Sequence, residues 1–200
     1  MCLQISLSLS LHLFYFTLRS INPLTNMNTL ATRIFDILDL YVKPQNKPDS
    51  LASKRQGEWA LISAEQFCEQ VDKVSLGLIK LGVQAGDRIA IISEGRPEWN
   101  IIDFGIQQVG AISVPIYPTL TIEDFQYIFH EAEVRFVFVG DATLFRKLID
   151  VVATAPTVEE MFTFDAVKSA KNWNFVTSQA DESNRPKLEE MKAAVKADDL

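Results

Sequence analysis

The sequence predicts an α/β fold, a mostly parallel sheet with helices on both faces. Three observations carry that prediction. Apolar, strand-like runs begin near Arg88, Ala111 and Val134, about 23 residues apart. Each interval holds one amphipathic stretch of helical period, enough for a single crossover helix. The stretches open on residues that start helices, and Gly110 closes the first of them. Strands alternating with crossover helices give parallel pairing with right-handed connections.

The elements follow in order. Asn28 or Thr29 can cap a first helix through about Tyr41, with Ile34, Ile37, Leu38 and Tyr41 at helical spacing. The polar run from Lys43 to Pro48 should then break it. Leu51 to Arg55 and Glu58 to Ile62 read as a hairpin turned at Gln56-Gly57. Ser63-Ala64-Glu65-Gln66 is a capping box for a helix carrying Phe67, Val71, Val74, Leu78 and Leu81, and Gly82 ends it. Gly86-Asp87 turns into the strand Arg88 to Ser93. Pro97 opens a helix through Val109, closed by Gly110. Ala111 to Ile116 is the next strand. Thr121 and Asp124 form a second box for a helix with Phe125, Ile128, Phe129 and Ala132. Val134 to Val139 is the third strand, and Asp141 caps a helix bearing Leu144, Leu148 and Val151. A weaker strand spans Met161 to Phe164. Residues 166–186 read as a polar loop, and Lys187 to Lys196 as a short helix.

Composition supports a packed core: 48% hydrophobic and 22% charged residues, with 13 Phe and 3 Trp, are globular values with an aromatic bias. A net charge of −7 argues against nucleic acid, whose binding rests on Lys and Arg neutralising phosphates. Cys2 and Cys68 cannot make a disulfide framework or a zinc pattern, and a reducing, cytoplasmic setting is the simplest reading. Residues 1–26 differ from the rest. They hold no acidic residue and one basic one, Arg19, with Ile5, Leu7, Leu9, Leu11 and Leu13 alternating with Ser and His. A divergent signal or anchor, an added strand, and a start codon placed too early are the three readings. The last is favoured, because Met27 stands just before a well-formed helix.

Motifs for chemistry are sparse. No G-x-G-x-x-G follows the first strand, and no G-x-x-x-x-G-K-[ST] stands anywhere. His130 sits beside Glu131 and Glu133 with no second metal ligand in view, so it reads as a structural helix residue. Cys68 reads as a small interior residue, and the pairs Glu159-Glu160 and Glu189-Glu190 as solvated faces. Ser93-Glu94-Gly95-Arg96-Pro97-Glu98-Trp99 is the most distinctive segment. It is either a loop over the sheet edge, with Arg96 paired to a carboxylate, or one wall of a ligand cleft. Val114-Pro115-Ile116-Tyr117-Pro118 is a rigid extended exit from a strand, and its prolines explain the rigidity.

Taken together, Gly82 to Ile91, Arg96-Pro97-Glu98-Trp99, Gly110-Ala111 and Val114 to Pro118 resemble the adenylate-forming (AMP-binding) superfamily. Arg-Pro-Glu-Trp and Pro-Ile-Tyr-Pro-Thr-Leu are most similar to its long-chain fatty acid–CoA ligases, and Gly57-Glu58-Trp59 and Ser63-x-x-x-Phe67 fit the same opening. The likeness covers roughly residues 30–165 well and the tail loosely.

That resemblance implies an AMP-forming acid–thiol ligase in fatty acid metabolism. ATP and a fatty acid give an acyl-adenylate and pyrophosphate, and coenzyme A then displaces AMP. ATP, magnesium and coenzyme A are the cofactors implied for the full-length enzyme, and none is expected to bind this fragment tightly. The family's phosphate loop, magnesium carboxylate, ribose acid and lid lysine have no matching positions here, so no catalytic, cofactor-binding or metal residue is carried over. Asp198-Asp199-Leu200 resembles the lead-in to the phosphate loop. The expected division is a leader at 1–26, the N-terminal part of an AMP-binding domain at 27–165, and a loop and short helix at 166–200 leading toward that missing segment. The chain alone is expected to be inactive. Peripheral membrane association is a further implication, and self-association through an open sheet edge is expected, with Phe136 to Val139 as the offending strand if it lies outermost. The alternative is a stand-alone flavodoxin-like binding or scaffold module without catalysis.

Overall fold

The computed structural model describes residues 30–199 apart from Gln56, and every helix and strand among them lies in the unit formed by residues 32–200. The leader at 1–26, the Asn28/Thr29 cap, Gln56 and Leu200 lie outside the described residues.

A π-helical stretch Leu38–Val42 runs into a helical turn Lys43–Gln45 (together α1). The expected break at Lys43 is therefore corrected. Lys43 N–H bonds back five residues to the Leu38 carbonyl, and this wide turn makes room for the Pro44 ring. Asn46, with φ 44°, ends the helix instead. The hairpin is as expected: β1 (Leu51–Arg55) pairs antiparallel with β2 (Glu58–Ile62), and Gly57 takes φ +91° in the turn.

Ser63 caps α2 (Ala64–Lys80) with both halves of the capping box made. Gly82, at φ +79°, sits just past its C-cap Leu81. The strands β3 (Arg88–Ile92), β4 (Ile112–Pro115), β5 (Phe136–Val139) and β6 (Glu160–Thr163) are joined by α3 (Pro97–Gln108), α4 (Ile122–Glu131) and α5 (Ala142–Thr154). Thr121 and Asp124 complete the second box, and Asp141 caps α5 through the Thr143 and Leu144 amides.

Residues 166–186 are more than the polar loop expected. They contain β7 (Lys171–Asn172), α6 (Asn174–Ser178) and a 3₁₀ turn, Glu182–Asn184, which leads into α7 (Arg185–Ala194). The apolar anchors Trp173, Phe175 and Val176 drive this, although polar neighbours hide them in the sequence. Val176 is fully buried, Phe175 stacks on Phe162, and Trp173 meets Phe164 edge-on.

All neighbours in the five-stranded sheet are parallel, in the order β4-β3-β5-β6-β7. One face buries Ile89, Ile91, Phe136, Phe138 and Phe162 under α2, α3, α6 and α7. The other buries Ala90, Ile92, Val137, Val139 and Met161 under α4 and α5. Two glycines set how closely the first face packs. A Cβ on Gly77 would lie 2.0 Å from the Val176 carbonyl oxygen, and one on Gly105 would lie 2.4 Å from Val74 Cγ1. The aromatic strand Phe136–Val139 is interior, between β3 and β6, so it is not the exposed edge. The outer strands are β4 and the two-residue β7.

Candidate functional site at the carboxyl edge of the sheet

An open α/β sheet holds its ligand crevice where the strand order reverses, outside the carboxyl ends of the strands. β3 exits through α3 on one face, and β4 and β5 exit through α4 and α5 on the other. The observed order therefore puts the reversal between the ends of β3 and β5, at Ser93 and Gly140.

Arg96 occupies this position. Its extended backbone precedes Pro97 at the start of α3 and sends the guanidinium back across the strand ends. Nε and Nη2 donate to the Glu98 carboxylate at 3.0 and 3.2 Å. Nη1 donates to the Gly140 carbonyl at 3.0 Å, and Nη2 to Asp165 Oδ1 at 3.0 Å. The guanidinium also lies 5.3 Å from the Phe164 ring centroid. Burial works against its charge, but Glu98 and Asp165 outweigh burial and hold its proton more firmly. Arg96 thus ties together the loops after β3, β5 and β6. Gly140 closes the remaining space: a Cβ there would come 2.7 Å from Ser93 Oγ.

Of the two readings of the Ser93–Trp99 segment, the geometry matches the paired arginine. Four of the five guanidinium N–H groups are committed to protein acceptors, so no free fork faces outward for a phosphate. The residues at this crevice do not fit a magnesium nucleotide. No group of three His, Cys, Asp or Glu side chains is placed to hold a metal among the described residues.

The other residues singled out in the sequence are dispersed. His130 is exposed on α4, 3.3 Å from Glu131. Cys68 is buried in α2, and burial pushes its thiol up. Glu159 pairs with Arg135 at 2.8 Å, Glu160 with Lys171, and Glu190 with Lys187 at 3.2 Å. Tyr117 stands 79% exposed beyond β4. Its loop is stapled by Lys147, whose Nζ donates to the carbonyls of Pro118 (3.2 Å) and Leu120 (2.5 Å). Neither Lys147 nor Asp165 carried a sequence signal, since their partners are 27 and more residues away.

A second hollow, of about 960 Å³, runs along the outer side of β4. Arg33, Asp103, Gln107, Ser113, Met191 and Val195 help line it. Burial raises the Asp103 carboxyl, partly offset by Ser113 and by Gln107, whose Nε2 donates at 2.8 Å. Ser113 Oγ is buried beside that carboxyl but does not reach good hydrogen-bond geometry with it.

Comparison with known proteins identifies the family. The sequence pattern described as "AMP-binding enzyme" matches residues 40–200. The long-chain-fatty-acid–CoA ligase FadD15 of Mycobacterium bovis is 34% identical over 119 residues, covering 58% of this chain and 20% of the relative. The long-chain-fatty-acid–CoA ligase ACSBG1 of Rattus norvegicus is 26% identical over 151 residues, covering 76% of this chain and 20% of its own length. The chain thus spans about a fifth of these relatives. In fold it is similar to the anthranilate CoA ligase AuaEII, with TM-score 0.62 and 19% identity over 76% of this chain and 29% of that one. On the extent of the family match, the chain belongs to the AMP-binding enzyme family.

Proposed function

We propose that this chain is the opening structural part of an AMP-forming long-chain fatty acid–CoA ligase, and that it carries none of that enzyme's reacting groups. The overall reaction converts a fatty acid, ATP and coenzyme A to acyl-CoA, AMP and pyrophosphate. The observation that carries the reading is the Arg96 latch. In a family whose chemistry needs a nucleotide, the strand ends at the reversal of this sheet are crossed by the chain's own guanidinium, bonded to Gly140 and Asp165. ATP, magnesium and coenzyme A would then be held by residues outside this chain, and what the chain supplies is a stiff sheet with braced loops at its carboxyl edge. Preorganised charge at the reacting group is usually the largest catalytic term, so a segment without it adds little rate alone. The partner is a fatty acid, in a cytoplasmic or membrane-peripheral setting. Among the described residues no helix is long and apolar enough to cross a membrane.

The second reading is a stand-alone flavodoxin-like module. It draws support from a sheet already covered on both faces by the chain's own helices.

Thioester formation from palmitate, ATP, magnesium and coenzyme A separates the two. The product of the reading frame continued beyond Leu200 should form palmitoyl-CoA, while this chain stays at blank. A frame that stops after Leu200, or turnover by this chain alone, would overturn the first reading.

A further inference from the structure

We infer that the outer edge of β2 pairs with the same edge of a second copy of this chain, antiparallel and about a two-fold axis at Ala60. The two hairpins then form one sheet in the order β1-β2-β2-β1.

Backbone hydrogen bonding is the first argument. The hairpin register sets Arg55 opposite Glu58, Ser53 opposite Ala60 and Leu51 opposite Ile62, with Lys54 opposite Trp59 and Ala52 opposite Leu61 between them. A two-residue turn closes on a hydrogen-bonded pair, here Arg55 and Glu58, and bonded and non-bonded pairs then alternate. The N–H and C=O groups of Trp59 and Leu61 therefore point away from β1. Among the described residues β2 pairs with β1 alone, so no strand meets these groups.

The side chains are the second argument. Glu58, Trp59, Ala60 and Leu61 are exposed in succession, Trp59 at 68% and Leu61 at 56%. A tryptophan and a leucine thus stand side by side on a face that a solvated hairpin gives to polar residues. β2 also lacks the usual guards of a free edge. It has no proline, no lysine and no bulge, and its one charge, Glu58, sits beside the turn. β1, by contrast, carries Lys54 and lies against α3.

Self-complementarity is the third argument, and it selects a second copy over an arbitrary strand. About an axis at Ala60, Trp59 faces the partner's Leu61 and Leu61 faces the partner's Trp59, each pair exchanging N–H and C=O in both directions. Ala60 meets the partner's Ala60 in the close, non-bonded position, where Cβ atoms stand about 4.5–5.5 Å apart and two methyl groups fit. Glu58 faces the partner's Ile62, so no like charges are opposed. The contact buries under about 1,000 Å² in total, the size of a weak, reversible association. A net charge of −7 on each copy works against it, so added salt should strengthen the dimer.

The test is sedimentation velocity and amide hydrogen exchange of the whole chain between about 10 μM and about 1 mM, a range that brackets a weak dimer. The expected result is a shift from one chain to two, with exchange at Trp59 and Leu61 slowed about fivefold and that at Ala60 unchanged. Leu61→Pro removes only an outward donor, and Trp59→Lys puts a charge into the apolar pair. Each should abolish the dimer and leave the melting temperature of the dilute chain unchanged. In a Cys2→Ser background, with Cys68 buried, Ala60→Cys should cross-link two copies on oxidation while Trp59→Cys should not. A chain still monomeric at the highest concentration, or a dimer that survives both Leu61→Pro and Trp59→Lys, would overturn the inference. Protection of Trp59 and Leu61 that appears only with anionic phospholipid vesicles, the chain staying monomeric, would assign this face to a lipid surface and overturn it equally.

Discussion

The crevice between β3 and β5 and the groove outside β4 lie in the same sheet, yet they are finished in opposite ways. At the crevice, where a doubly wound fold would hold a ligand, Arg96, Glu98, Asp165 and Gly140 leave no polar group reaching outward in a fork. At the groove, a buried hydroxyl and a raised carboxyl face about 960 Å³ of space. The lesson is that strand order predicts where a crevice should be, while the side chains decide whether it is a site.

The largest effect should come from removing the latch. Arg96→Ala takes the cation from Glu98, which is 6% exposed, and unties the loops after β5 and β6. A loss of about 2–3 kcal/mol in chemical denaturation is expected, below the full range for a wholly buried pair because Asp165 is exposed. Arg96→Lys should recover less than half, since one ammonium cannot span Glu98, Gly140 and Asp165 together. Full recovery by lysine would show that charge alone matters.

Gly140→Ala should cost about 1–2 kcal/mol, because the new Cβ meets Ser93 Oγ at 2.7 Å. In a Ser93→Gly background the same substitution should cost markedly less. An unchanged cost in both backgrounds would mean that these two loops are not in the contact described.

The groove should respond weakly and with the opposite sign. Asp103 has a raised folded-state pKa caused mainly by burial, so between its unfolded value near 3.8 and that raised value the folded chain binds more protons. Its contribution to stability is therefore present at acid pH and lost as pH rises through that window. Asp103→Asn should stabilise the chain at pH 7 by under about 1 kcal/mol, and the gain should vanish below the unfolded value. Thermal melts across pH read this directly, and destabilisation at neutral pH would show that the carboxylate is needed there.

The strands and caps were legible because their signals are local. Ser63/Gln66, Thr121/Asp124 and Asp141 are caps satisfied within three residues, and the runs at Arg88 and Phe136 are apolar enough to be buried on both faces. The misread parts depend on distant partners. Trp173 and Phe175 look like lone aromatics in a polar stretch until Phe162 and Phe164 meet them across the sheet. Pro44 looks like a helix stop until a π turn accommodates it. Arg96 could be seen as distinctive but not as a latch, because Asp165 lies 69 residues away. The position of Phe136–Val139 inside the sheet depended on strand order, which hydropathy does not encode.

With four of its five N–H groups bonded to Glu98, Gly140 and Asp165, Arg96 is expected to keep the crevice at Ser93 and Gly140 closed to nucleotide. Titration of magnesium ATP into the isotope-labelled chain, followed by amide chemical shifts, tests it most directly. Ser93, Gly95 and Gly140 should stay unmoved at every nucleotide concentration. Saturable one-to-one shifts of those amides, lost on Gly140→Ala, would contradict it.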